Sequence, residues 1–466
     1  MSIPRGNAGA RATRLASFAV IGALVVSACG SGATTAPTTA PAQSSAAGQS
    51  AAPAQSAAAG QSAAPAQSAA TGSSPKGTLT IADWEFSEGV FGQNVEKVLK
   101  AYESSHPGTT INFQTMSYDS YPSTIKTQIG AGGGPDIMVL LDQDFYALEK
   151  AHDLLPLTSL TPAEISSLRP ANKTAVFGND RLGYIWETVI YGLLYNKSLF
   201  SQAGISSAPT DFTSLLNDCQ QIKSKTGQWG YAARSSLNEE ESWYEDFTGT
   251  WIIGYGGTWT DSSGKFTINS PANIKAVTDY ATLYKSGCYD TGVKAAVFRS
   301  SYENANVGIL MDNANAGYTY VTAGGKLTDP QQGSGALPFP TKYSGMQQLY
   351  LTVNKNTKNA ALAQNFMEWL LQSAQQQVLV NATAPQTIAS TVVPDAQFNT
   401  AHPWAPYYYG QADNGVSLLM NVRPELTNQL ASTVMPFIAK VLAGQMSPTD
   451  ALNAAQQQAI STMGNP

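Results

Sequence analysis

From Gly30 to Pro75 the chain offers nothing that a folded core could use. The segment is built from Ala, Ser, Gln, Pro, Thr and Gly, and no charged residue appears between Cys29 and Lys76. Its stretch GQSAAPAQSAA at Gly48 to Ala58 recurs letter for letter at Gly60 to Ala70. With no large apolar side chain to bury, such a segment cannot offset the entropy lost on ordering. The repeat therefore reads as a spacer and not as a solenoid unit, which needs an apolar face to stack. As a flexible coil it would span roughly 35–40 Å. Folding is confined to the remainder, Lys76 to Pro466, which is long enough for two domains.

Upstream of the spacer, Arg5, Arg11 and Arg14 precede an apolar run from Leu15 to Val26. That run is too short to cross a bilayer as a mature helix and has the layout of a secretory signal. It closes on Val26-Ser27-Ala28-Cys29, which resembles the lipobox of bacterial lipoproteins. The resemblance implies a signal peptide over 1–28 and a lipid on Cys29, the first residue of the mature chain. Residues 29–75 then form a disordered tether, and the folded part is held outside the cell at the outer face of the membrane.

The folded part has no basic run and the whole chain carries a net charge of −6, which argues against nucleic acid. Its 21 Tyr and 8 Trp cluster in Gly/Asn/Asp-rich stretches, where aromatic rings serve ligands more often than cores. Cys219 and Cys288, an even pair in an exported chain, are a candidate disulfide. Catalysis finds no motif. His106, His152 and His402 are far apart, and neither His-Glu-x-x-His nor Gly-x-Ser-x-Gly occurs. Gly324-Gly325-Lys326 lacks the upstream spacing of a phosphate loop. No catalytic residue, metal site or cofactor is expected.

Leu79 to Trp84 alternates as a strand does. Val95, Val98, Leu99 and Tyr102 follow at helical spacing, and His106-Pro107-Gly108 ends that helix. A second strand begins at Ile111, a second helix covers Ile125 and Ile129, and Asp136 to Leu141 is an unbroken apolar strand covered on both faces. Strand–helix–strand–helix–strand predicts a mainly parallel sheet, with ligands at the carboxyl ends of its strands.

Four segments carry a family resemblance. Gly134-Pro135-Asp136-Ile137 precedes a strand, an aspartate and Phe145. Tyr195-Asn196-Lys197-Ser198-Leu199-Phe200 is followed by Ala203-Gly204-Ile205 and Pro209-Thr210-Asp211-Phe212. Asn354-Lys355-Asn356 precedes Ala363 to Leu370. In this order they resemble the extracellular solute-binding proteins of ABC importers, in the sugar-binding group that includes maltose-binding protein. The resemblance implies an α/β, two-lobed, type II periplasmic-binding-protein-like fold. Each lobe is then a mainly parallel sheet flanked by helices, joined by hinge crossings. Lobe one would comprise 76–187 and 352–390, and lobe two 188–351 and 391–466. Cys219 and Cys288 would both lie in lobe two.

Such a protein is a monomer that captures a mono- or oligosaccharide between its lobes and delivers it to membrane permease subunits. A polyamine or other small polar solute is the alternative, and a glycan-active enzyme a weaker one. Sugars offer C–H faces to aromatic rings and hydroxyls to acids and amides. On that basis Trp84 and Glu85 after the first strand, Asp142 and Gln143 after the third, Glu187 at the crossing and Trp243 are expected to touch ligand. Gly308 to Asn315 resembles a family stretch that ends in a stacking Trp. Here Asn315 stands in its place, so Asn313 and Asn315 become hydroxyl partners, and stacking passes to Trp404, Tyr407 or Tyr408.

Overall fold

The computed structural model describes residues 75–465, apart from 159, 314–324, 330–332, 338–343, 383–388 and 413. The expected leader, the tether with Cys29, and Asn315 lie outside the described residues.

The alternating run forms β1 (Gly77–Asp83), and helix Gly89–Ser105 buries Val95, Val98, Leu99 and Tyr102 on one face. After Pro107 the chain turns at Gly108, whose φ of +94 is a conformation that a Cβ would strain, and enters β2 (Thr109–Thr115). Helix Tyr121–Gly130 leads on to β3 (Ile137–Leu141), buried throughout as its unbroken apolar run demands. β1 pairs in parallel with both β2 and β3.

The turn before β3 shows what the Gly-Pro-Asp sequence does. Gly134 has φ +100, and Asp136 accepts the Thr80 N–H at 2.8 Å, the Asn359 amide at 3.2 Å and the Thr357 hydroxyl. The Asn354 amide donates to Gly133 and Pro135 carbonyls at 2.8 and 2.9 Å. These bonds pin β3 to β1 and to the chain returning after β11. They thereby fix where the end of β3 presents Asp142.

A short hairpin, β4 (Val176–Phe177) and β5 (Asp180–Arg181), precedes the long strand β6 (Gly183–Asn196). Then come β7 (Trp229–Ala232), β8 (Tyr289–Asp290), β9 (Val307–Asn313), β10 (Ser334–Leu337), β11 (Gly345–Val353) and β12 (Val416–Ser417). The sheet order is β2-β1-β3-β11-β6-β9-β7-β8, with β10 on β6 and β12 on β11, ten strands in all. The outer trios are parallel, but each junction of β3, β11, β6 and β9 is antiparallel. Two mainly parallel halves are thus fused through β6 and β11, which run on from one into the other.

Helices Ala360–Leu371 and Ser373–Ala382 return to pack on Gly89–Ser105 in the first half. Helices Thr427–Leu442 and Pro448–Met463 pack on each other and on Pro271–Tyr284 in the second. Helix Phe212–Thr226 carries Cys219, which is disulfide-bonded to Cys288 with the Cα atoms 5.7 Å apart. β7 passes so close that a Cβ on Gly230 would lie 2.1 Å from the Cys219 carbonyl oxygen, and only glycine fits.

Candidate ligand-binding site

Parallel strands place their carboxyl ends together, and both halves aim theirs at the joint. In the first half, Leu141 of β3 lies opposite Leu349 of β11, which lies opposite Glu187 of β6. The register then slips. Tyr350 faces Ile185, so Trp186 is an extra, bulged residue on β6. A bulge re-aims side chains, and here the Trp186 indole N–H donates to Glu85 at 3.1 Å. Glu85 sits in a turn, Trp84–Ser87, capped by Asp83 through the Glu85 N–H at 3.0 Å. Asp83, Glu85 and Glu187 are all buried. Burial pushes the Glu85 and Asp83 acids well above the usual carboxylate range, and the Glu187 charge pushes them further.

In the second half, Asp312 of β9 lies opposite Gly192 of β6, and Arg234 follows β7, the parallel neighbour of β9. Arg299 grips Asp312 with two bonds, 2.7 and 2.8 Å, while Arg234 pairs with Asp246 and stands 3.8 Å from Asp312. Burial opposes the Asp312 charge, but Arg299 and Arg234 outweigh it and hold the carboxyl below its usual range. From the first half, Glu88 reaches this cluster. Burial raises its acid, while Arg299 and Arg234 draw it down.

Along one side the halves touch directly. Gln143 donates to Glu241 at 3.1 Å, and the Tyr118 hydroxyl lies 3.2 Å from Glu245. Gln347 of β11 donates to Glu245 at 2.8 Å and accepts the Tyr191 hydroxyl at 3.1 Å. A cavity of about 10 Å³ remains between Asp142, Gln143, Glu241, Glu245 and Gln347, on the scale of a single water. Asp142 is buried beside it. Burial lifts its carboxyl to about 7 against the Gln348 and Gln143 N–H groups that stabilise its charge.

The joint therefore gathers Glu85, Asp142, Gln143 and Glu187 of the expected residues. Asp142 and Gln143 open a helix, Asp142–Lys150, instead of lying in a loop. Trp84 is close by but packs edge-on against Tyr118 and Tyr121, at centroid distances of 5.4 and 5.1 Å. Asn313 ends β9 and pairs with Tyr191. Trp243 and Trp404 differ from expectation. Trp243 is 0% exposed, inside the second half's core, with its N–H on the Tyr280 hydroxyl at 3.3 Å. Trp404 is 2% exposed and packs with His402 and Tyr408. Trp243 lies in a run of five consecutive buried residues of helix Glu240–Phe247, and Trp404 caps helix Ala405–Tyr409; burying a large aromatic ring at either place lowers the free energy.

Sequence reasoning missed Glu88, Tyr118, Arg234, Glu245, Asp246, Arg299, Asp312 and Gln347. The usable signal was Asp312, directly after the apolar run Gly308–Met311. It marks a strand end as plainly as Asp142 does after Leu141.

Buried carboxylates, two guanidiniums and amides facing one another across a joint can hold a polar solute by many hydrogen bonds at once. The sequence pattern of the family described as "Bacterial extracellular solute-binding protein" matches residues 87–377. A relative in Deinococcus radiodurans, described as a probable ABC transporter-binding protein, is 26% identical over 74% of this chain and 84% of its own. Among solved structures, the GacH receptor of Streptomyces glaucescens, determined unliganded and with acarbose, superposes with a TM-score of 0.73 at 18% identity, covering 83% of this chain and 98% of that one. Maltose-bound MalE3 of T. maritima gives 0.70 at 19% identity, over 82% and 98%.

Proposed function

The chain belongs to the bacterial extracellular solute-binding proteins, and from that premise we propose that it captures a mono- or oligosaccharide at the joint of its halves and hands it to an ABC permease. The observation that carries the reading is that Glu88, a neighbour of Glu85, acts with Arg299, Asp312 and Arg234, so that groups of the first half meet the ion-pair cluster of the second. Carboxylates accept from sugar hydroxyls and guanidiniums donate to them, so one hydroxylated ring can satisfy both sides. Relatives of the same fold that hold acarbose and maltose support a saccharide over other polar solutes.

The halves act as lobes, 76–187 with 352–390 and 188–351 with 391–466, that close about the two long strands. Ligand drives the shift by binding the closed form more tightly than the open one. The protein binds without chemical turnover. Cys29 carries the lipid and 29–75 is the leash that keeps the lobes near the permease. No helix among the described residues is long and apolar enough to cross a membrane.

A thermal-shift and tryptophan-fluorescence panel of saccharides, polyamines and glycerophosphates tests this reading. At least one saccharide should raise Tm, and Glu187→Ala should abolish the shift while Trp243→Phe retains it. A polyamine that shifts Tm while every saccharide fails would overturn it, and hydrolysis of a bound sugar would overturn the absence of turnover.

A further inference from the structure

Resting on the two-lobe reading above, we propose that the lobes carry a latch of their own: helix Asp142–Lys150 of the first lobe bonds at both ends to the second and biases the cleft toward closure before any ligand arrives. At the helix start the Gln143 amide donates to Glu241 at 3.1 Å, and at its end the Lys150 ammonium donates to Glu425 at 2.7 Å. Gln143 and Lys150 are two helical turns apart and so share a face about 10 Å long. The Tyr118 hydroxyl adds a third tie, to Glu245 at 3.2 Å.

Each anchor is fixed on its own lobe. In the first, Phe145 and Leu148 of the helix are buried, and Asp144 pairs with Lys126 at 2.6 Å. In the second, Glu425 lies in the short helix Pro424–Leu426, which packs against Asp142–Lys150 and is stapled from before its start. The Arg423 guanidinium donates to the Gly464 carbonyl at 2.8 Å, and the Asn421 N–H donates to Thr260 at 3.0 Å. With both anchors fixed, the bonds form only where the lobes come together. The bonded groups are polar, so water satisfies them when the lobes part and the latch stays reversible. Lys150 is 69% exposed, and an ion pair so open to solvent shifts an equilibrium only a few-fold. That is the scale of a bias and not of a lock. Whatever closed population the latch supplies, ligand need not, and apparent affinity rises with that fraction.

Distances between two nitroxide labels, read by double electron–electron resonance, test the proposal with no saccharide present. The labels go on Lys97→Cys and Lys225→Cys, exposed positions on a helix of each lobe, in the full chain with Cys29→Ser so that no other free thiol remains. Lys150→Glu and Glu425→Lys each set like charges face to face, and circular dichroism checks that each variant is folded. Either reversal should raise the open fraction about two- to fivefold. The two reversals together should restore the native distribution, a rescue that mere surface damage would not give. In about 1 M NaCl, where the Debye length falls to about 3 Å, the native chain and the single reversals should converge. If the native chain samples both distances and no reversal shifts their ratio, or the double reversal fails to recover it, the latch is overturned and the hinged lobes stand. One unchanging distance in every chain overturns both.

Discussion

Replacing Arg299 by Met removes the two-bonded partner of Asp312 and leaves the carboxylate buried. Asp312 is fully buried and the Arg299 side chain is only 16% exposed, so solvent screens the pair little. Breaking such a pair costs about 3–5 kcal/mol. Arg234 remains 3.8 Å from Asp312, and at an effective dielectric near 20 that separation still supplies about 4 kcal/mol of attraction. The expected loss is therefore at the lower end, about 3 kcal/mol near pH 8. The sign with pH follows from linkage. Arg299 and Arg234 hold the Asp312 carboxyl below its unfolded value, so its stabilisation is present above that value and fades as pH falls through the folded one. Removing Arg299 raises the folded value, so the variant should lose less stability at pH 4 than at pH 8. Urea unfolding at both values reads this directly. Arg299→Met combined with Asp312→Leu removes the orphaned charge and should recover most of the loss. A double variant no more stable than the single one, or a single variant indistinguishable from native at pH 8, would refute the reasoning.

Three other perturbations give separate checks. Cys219→Ser with Cys288→Ser opens a loop of sequence separation 69, which the chain-entropy model values at about 4 kcal/mol; urea unfolding should show that loss with saccharide affinity unchanged, because both cysteines lie in the second half. A Cβ on Gly345 of β11 would sit 2.3 Å from the Gly249 Cα, so Gly345→Ala must push β11 away from the π-helical segment Thr248–Ile252. Urea unfolding should then show a loss of about 1–3 kcal/mol, the cost of overpacking inside one lobe. Burial lifts Asp142 to about 7, so the folded chain binds more protons than the unfolded one between about pH 4 and 7. Stability should fall across that window by up to about 4 kcal/mol from this group, and Asp142→Asn should flatten the slope.

The first half was legible because its signals are local. The alternation at Leu79, the helical face through Tyr102 and the apolar run to Leu141 each fix an element, and strand ends then nominate Glu85 and Asp142. The second half gave weaker signals, since β7 has four residues and β8 two, too short to show a period. Arg234 and Arg299 went unnoticed for that reason. They stand beside Asp312 only through the pairing of β7 with β9 and the packing of helix Ala295–Glu303. The bulge at Trp186 is likewise a matter of register between strands far apart in sequence, and no local pattern announces it. Trp243 shows the opposite failure. Its acidic neighbours suggested a wet face, yet the ring turns inward to Tyr280 while Glu241 takes the side that meets Gln143.

Where a bound saccharide sits decides most. A crystal structure of the chain with the saccharide that shifts Tm furthest should place the sugar at the joint, within hydrogen-bond distance of Glu85 or Glu187 from one half and of Arg234, Arg299 or Asn313 from the other. Sugar density in the cavity of about 530 Å³ between Tyr195, Phe200 and Ala208, with the joint empty, would contradict it.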